Sequence, residues 1–332
     1  MAKILLNLTD DSRRRVFTPA DLERLATLGE ILPFDPKSST ENVPFSSLLA
    51  ETDAMLTCWG SRRLTAEDLV VPRSSPLLVA HAAGSVRGIV EKELLLHGVR
   101  LTQGAPAIAV AVAQYTVGLM ILALRQAFFR RTLLQQGEKG GGDYPYRDLE
   151  RLTVGLVGLS RVGSLTATLL PPFGATVLAF DPYCTPEKAD ALGVTLVDDL
   201  DDLIARSAVL SLHTPVTAET HNMIDQRRVG LLRPGSAFIN TARAALVDQE
   251  ALFARAIAGE IEVYVDVTQP EPLPSDHPAW ECPHIFITPH IAGPTEQSLR
   301  RMAEYAISEI ERFLSGQPLA YEVTYDRYDI LA

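Results

Sequence analysis

Cysteine is scarce in this chain, with three residues in 332: Cys58, Cys184 and Cys282. They stand far apart and in no metal-binding or redox spacing, so no disulfide framework and no metal site is expected, and a reducing compartment is predicted. Basic runs are scarce too. Arg13, Arg14 and Arg15 form the densest cationic stretch, Asp10 and Asp11 largely offset it, and the formal net charge is -11. Such a chain is not expected to bind nucleic acid. No apolar run is expected to approach the roughly 18 to 20 residues of a membrane span. The opening MAKILLNL lacks the apolar core and small-residue cleavage site of a signal peptide. A cytoplasmic protein without a membrane partner is the expectation.

What the chain does have is the means to bury large cores. Hydrophobic residues make up 47% and charged residues 21%, the balance of a globular protein, and the length exceeds the usual size of one core. Short apolar runs alternate with helix-like stretches: KILLNL, EILPF, AMLTC, LLVAHA and VRLTQ before residue 105, then TVGLVG, ATVLAF, AVLSLH, SAFIN, EVYVDV and IFITP after residue 150. Strands spaced by helices predict parallel sheets, and eleven strands are too many for one ordinary sheet. The expected fold class is therefore α/β, with two Rossmann-like or flavodoxin-like domains. Pro106 to Gln136 reads as one long linking helix with proline near its start, and Gly137 to Gly142, GEKGGG, as a flexible break. A second crossing is expected near Pro294, followed by a helix over Thr295 to Ser315 with Leu299, Met302, Ala306, Ile307, Ile310 and Phe313 on one side. One domain then spans 105–294, inserted in a discontinuous domain of 1–104 and 295–332.

The strand Leu152 to Val157 runs into Gly158, Leu159, Ser160, Arg161, Val162 and Gly163, then a helical stretch, a second strand from Ala175 to Phe180, and Asp181. That is the order of a dinucleotide-binding βαβ unit. Gly158 makes the tight turn, the helix N-terminus receives a pyrophosphate, and Gly163 permits close packing of helix on sheet. Asp181 can accept hydrogen bonds from ribose hydroxyls and would repel an extra phosphate, which predicts NAD over NADP. Ser160 stands where a second glycine is usual; its hydroxyl is expected to fit there or to bond a phosphate oxygen.

Three further stretches each follow a predicted strand: Asn240-Thr241-Ala242-Arg243, Asp266-Val267-Thr268-Gln269-Pro270-Glu271-Pro272 and Thr288-Pro289-His290-Ile291-Ala292-Gly293. In an open α/β sheet this places them at the carboxyl edge, where ligands bind. Together with GLSRVG and FDPY they closely resemble the D-isomer-specific 2-hydroxyacid dehydrogenase family, over nearly the whole chain. The resemblance implies that Arg243, Glu271 and His290 are catalytic. It also implies that Thr241 and Asp266, with His213, Thr214 and Pro215 after the strand AVLSLH, line the cofactor beside Gly158, Ser160, Arg161, Val162, Gly163 and Asp181. It implies hydride transfer between NAD and C2 of a small 2-hydroxy or 2-keto acid, and a homodimer built on the helix around Ala109 to Arg125.

The residue types suit that chemistry. Histidine has the side chain whose ordinary pKa lies nearest physiological pH, so His290 can give a proton to the forming alkoxide or take it back. Glu271 would orient its ring, and Arg243 would polarise the carbonyl and grip the substrate carboxylate. Gly84, Ser85 and Val86, after the strand LLVAHA, resemble the family's substrate loop, in which backbone N–H groups hold the carboxylate. Arg87 beside them reads either as a cation for a second anionic group or as a surface arginine bonding its own loop. Ala244 and Gln114 depart from the glycine and glutamate usual at those positions. Two rivals remain: an NAD-sensing scaffold like the C-terminal-binding co-repressors, with little turnover, and a formate- or phosphite-type enzyme, the formate form of which would carry glutamine in place of Glu271.

Overall fold

The computed structural model describes residues 1–37, 44–69, 73, 75–138 and 146–331. The chain divides into two compact units, Met1–Ile108 with Pro294–Ala332, and Ala109–Gly293. The first is built on a five-stranded parallel sheet of β1 (Lys3–Asn7), β2 (Glu30–Phe34), β3 (Ala54–Thr57), β4 (Leu77–His81) and β5 (Val99–Gln103) in the order β2-β1-β3-β4-β5. This is the flavodoxin-like order. Successive strand residues point to opposite faces, and the core follows that rule: Ile4, Ala54, Leu56, Leu78 and Ala80 enter one apolar cluster, Leu5, Met55, Leu77, Val79 and Leu101 the other. Both faces of the inner strands β3 and β4 are covered, and these strands are buried along their whole length without alternation.

The second unit carries a seven-stranded parallel sheet: β6 (Thr153–Val157), β7 (Thr176–Phe180), β8 (Thr195–Leu196), β9 (Val209–Leu212), β10 (Ala237–Asn240), β11 (Glu262–Val265) and β12 (Ile285–Ile287), ordered β12-β11-β10-β9-β6-β7-β8. It is the doubly wound Rossmann order with one strand added. The topological switch lies between β6 and β9, and the crevice outside their carboxyl ends is where such sheets bind ligands. β8 has no counterpart among the runs read from the sequence; a two-residue strand is too short to show any period.

The linking segment differs from expectation in two ways. It forms two helices, Ala105–Leu124 and Ala127–Gln135, broken at Gln126, whose φ of 48° is left-handed. The first of these is also long and apolar enough to cross a membrane, contrary to the expectation that no run reaches that length, but 61% of its apolar window is buried within the protein. Val117, Leu119, Met120, Ala123 and Leu124 join the core beneath the larger sheet, which is why a helix without one polar face forms here. Of the expected glycine break, Gly137 to Gly142, residues 139–142 lie outside the described residues.

The helix Glu296–Leu314 starts at a reciprocal cap between Thr295 and Ser298. It buries Leu299, Met302, Ala306, Ile307 and Ile310 against the smaller sheet, with Phe313 partly buried beside them. Each of the larger side chains contributes about 1.5–3 kcal/mol by its burial.

Candidate active site

In the second unit the turn after β6 is shaped by steric necessity. Gly158 has φ +95°, and a Cβ there would lie 2.7 Å from the Thr214 methyl carbon; a Cβ at Gly163 would lie 2.2 Å from the Gly158 carbonyl oxygen. No larger residue fits either place without moving the backbone. The helix Arg161–Leu169 begins directly after the turn, with Ser160 as its cap. The Ser160 hydroxyl accepts from Gly163 N at 3.5 Å, the outer limit of a hydrogen bond, so the structure gives this side chain a capping role. The N–H groups of Arg161 and Val162 belong to the first turn, which has no intrahelical acceptors. Asp181 follows β7, and its carboxylate accepts from Leu159 N at 2.6 Å and Tyr183 N at 2.9 Å, which fixes it beside the turn.

These features fit a dinucleotide: a cradle closed to any side chain, free N–H groups at a helix N-terminus and a carboxylate at the next strand end. Thr214 and Pro215 are half-buried beside the turn. His213 differs from its neighbours: its ring is buried, and its Nε2 has no hydrogen-bond partner among the described residues. It supports the turn from beneath, its Cβ being 3.1 Å from where a Cβ on Gly163 would stand. A Gly163→Ala substitution is expected to weaken NADH binding about tenfold or more, the usual scale of an overpacked backbone contact. A fluorescence titration checks this, and an unchanged Kd would contradict the cradle.

The loops after β10, β11 and β12 leave three neighbouring strands at the same edge. They bring Glu271 and His290 together: Nδ1 of the imidazole and Oε1 of the carboxylate are 2.9 Å apart, and each side chain is about half exposed. No described residue is hydrogen-bonded to Nε2. His290 has φ +54°, a left-handed conformation costing a non-glycine residue about 1–2 kcal/mol, offset by donation of its N–H to Asp266 O at 3.0 Å. Asp266 is buried, and its carboxylate accepts from the Thr288 hydroxyl at 2.6 Å, Ile291 N at 2.9 Å and Ala292 N at 2.9 Å. Three of about four acceptor sites are thereby used. These bonds hold the His290 loop and leave about one acceptor site of the Asp266 carboxylate over.

Glu271 lies between two cis X-Pro bonds, Gln269–Pro270 and Glu271–Pro272. Its loop is clamped from the preceding helix, Gln249–Ile257, by Gln249, whose amide donates to Gln269 O and accepts from Gln269 N. Arg243 is exposed and donates to Ala242 O at 2.7 Å. Buried Asn240 sets that turn, accepting from Ala242 N and donating to Arg243 O, while the hydroxyls of Thr241 and Thr116 lie 2.7 Å apart. Asn240 and Gln249 have no assigned role in the sequence reading. An asparagine at a strand end is a turn signal, whereas nothing local marks Gln249.

In the first unit, Gly84, Ser85, Val86 and Arg87 follow β4. Among the described residues no acceptor takes the N–H of Gly84, Ser85 or Val86. The Val86 side chain is buried in the core, leaving only its backbone to meet a ligand. Arg87 donates to the carbonyl of Asp329 at 2.5 Å, a partner outside its own loop. His81 beneath the loop is buried, its Nδ1 3.0 Å from the Thr57 hydroxyl.

Burial pushes the imidazole of His81 down to about 4, opposed by a bond to the Ser85 backbone, and that of His213 down to about 3. Unfolded, each takes a proton near 6.5; folded, neither does until the pH is far lower. The unfolded state therefore holds more protons between about pH 4 and 6.5, and stability falls as pH falls through that window. From pH 7 to 5 each histidine costs about 2 kcal/mol. Urea midpoints followed by tryptophan fluorescence should drop accordingly, and an unchanged midpoint would contradict the burial of both rings as neutral groups.

Residues 117–292 match the sequence profile of the NAD binding domain of the D-isomer specific 2-hydroxyacid dehydrogenases. The chain belongs to this family. A D-3-phosphoglycerate dehydrogenase of Methanocaldococcus jannaschii is 29% identical over 250 residues, 75% of this chain and 48% of that protein. A glyoxylate reductase of Thermofilum pendens is 32% identical over 230 residues, 68% of each. The chain spans about half the length of the phosphoglycerate dehydrogenases it matches. A solved structure of a protein from Thermus thermophilus is 26% identical and superposes with a TM-score of 0.76, covering 97% of this chain and all of that one. The fold class read from the sequence is that of these structures, and the cofactor of the matched domain is NAD.

Proposed function

We propose that the protein is an NAD-dependent oxidoreductase acting on the C2 hydroxyl of a small D-2-hydroxy acid, or on the carbonyl of the matching 2-keto acid. The observation that carries this reading is the His290–Glu271 pair, at 2.9 Å, beside the Arg243 loop at one sheet edge. The nicotinamide, when bound, supplies or accepts the hydride. His290 gives its Nε2 proton to the forming alkoxide in reduction and takes it in oxidation, with Glu271 accepting from Nδ1 and so fixing the tautomer. Arg243 polarises the carbonyl and pairs with the substrate carboxylate, a role its planar fork of donors suits. In the first unit, the unpaired N–H groups of Gly84, Ser85 and Val86 are suited to receive a substrate carboxylate. Arg161, Val162 and the glycine turn hold the pyrophosphate, and Asp181 accepts from the ribose hydroxyls and disfavours NADP.

A homodimer in the cytoplasm is part of the proposal. Val110, Ile121 and Leu122 stand 37–40% exposed on the helix Ala105–Leu124, an apolar surface suited to a second copy. The test is NADH oxidation with glyoxylate, hydroxypyruvate, pyruvate, phenylpyruvate, 2-ketoglutarate and 3-phosphohydroxypyruvate, NADPH being run alongside. Turnover of at least one acid with NADH, and little with NADPH, is expected. Tight NADH binding without turnover of any acid would instead favour a dinucleotide-sensing scaffold.

A further inference from the structure

The segment Thr324–Leu331 carries side chains whose bonds converge on the loop assigned to the substrate carboxylate. Tyr328 is 5% exposed, and its hydroxyl lies 2.7 Å from Val90 O and 3.5 Å from Val86 O. Its ring shares a core with Val86, Ile89 and Val90. Arg87 donates to Asp329 O, the Asp329 carboxylate pairs with Lys92, and the Lys92 ammonium lies 4.5 Å over the Tyr325 ring. The Gln103 amide, oriented so that both its ends are satisfied, donates to Leu331 O at 3.0 Å and to Gly84 O at 3.3 Å. Upstream, the segment is tied to β5: Val323 N donates to Leu101 O, Gln103 N to Tyr321 O, and Arg100 makes a two-pronged pair with Glu322 at 2.8 and 2.9 Å.

The substrate loop is thus gripped at Gly84 through Gln103, at Val86 through the core it shares with the Tyr328 ring, at Arg87 through Asp329 and, just beyond, at Val90 through the Tyr328 hydroxyl. Its free N–H groups can meet a carboxylate together only if the peptide planes of Gly84 to Val86 keep one orientation. Nothing on the described N–H side fixes them, so the carbonyl and side-chain side must. We infer that Thr324–Leu331 is a latch that presets this loop for the acid, with Tyr328 as its main positioning residue. The inference rests on the proposed role of Gly84–Val86. It also gives Arg87 a task besides reading a second anion: one of its guanidinium N–H groups donates to the latch. A preset loop binds ground state and transition state alike, so loosening the latch acts on substrate affinity and not on the chemical step.

The test is Tyr328→Phe, which keeps the ring in the core and removes only the hydroxyl. The KM for whichever 2-keto acid the wild type reduces should rise about three- to tenfold, the worth of a buried hydrogen bond, with kcat and the KM for NADH within about twofold. Amide hydrogen exchange should quicken at Gly84–Val90 and not in β1 or β3. An unchanged acid KM, or a loss confined to kcat, would overturn the inference while leaving the proposed reaction standing. If the wild type reduces no acid, the proposed reaction fails. Exchange then decides for the latch alone: unaltered exchange at Gly84–Val90 in Tyr328→Phe overturns it, and locally quickened exchange upholds it.

Discussion

Replacing His290 by alanine is expected to lower kcat by about 10²- to 10⁴-fold, the usual worth of a positioned acid or base, while the Kd for NADH stays within about twofold. The chemistry needs one proton at the forming alkoxide, and the other ring nitrogen is already committed to Glu271. The three bonds that Asp266 accepts from Thr288, Ile291 and Ala292 hold the loop without help from the His290 side chain. The loop should therefore survive the substitution, and the glycine turn after β6 should bind cofactor as before. Steady-state kinetics and an NADH titration on the same preparation check both halves. Turnover within about threefold of wild type would remove His290 from the reaction.

Arg243→Ala should lower kcat/KM by about 10²- to 10³-fold, the range found when a charge-stabilising donor is removed. Arg243→Lys should recover only part of this, because an ammonium is a point charge and cannot present a planar pair of donors to a carboxylate. The backbone of the turn should be indifferent to either change, since Asn240 holds it by accepting from Ala242 N and donating to Arg243 O. Full recovery by lysine would mean that the site asks only for positive charge there.

Most of the fold can be read from the sequence for a simple physical reason. Strands covered on both faces are continuous apolar runs, as in β3, β4 and β9–β11, and the other strands longer than β8 are short runs rich enough in apolar residues to stand out, whereas the two residues of β8 carry no pattern. The break at Gln126 is hidden because no glycine or proline marks it; glutamine takes the left-handed conformation there within tertiary packing. The apolar length of Ala105–Leu124 is easily underestimated because its polar interruptions, Gln114, Tyr115 and Thr116, carry no charge. The residue types that suit the proposed reaction are legible at strand ends, and the chain brings Glu271 and His290 within hydrogen-bond reach. The residues that aim them are harder to read. Gln249 acts on Gln269 across 20 positions, Asp266 on Ala292 across 26, and Asp329 on Arg87 across 242, and no local period reports contacts of that kind.

The central claim is that a hydride passes between the nicotinamide and C2 of a 2-hydroxy acid. NADH carrying deuterium at C4, supplied on each face in turn, should be incubated with the best acid of the panel and the product examined by proton NMR. The account predicts a 2-hydroxy acid with deuterium on C2 from one of the two labelled cofactors and none from the other. Oxidation of NADH without deuterium at C2 from either would contradict it.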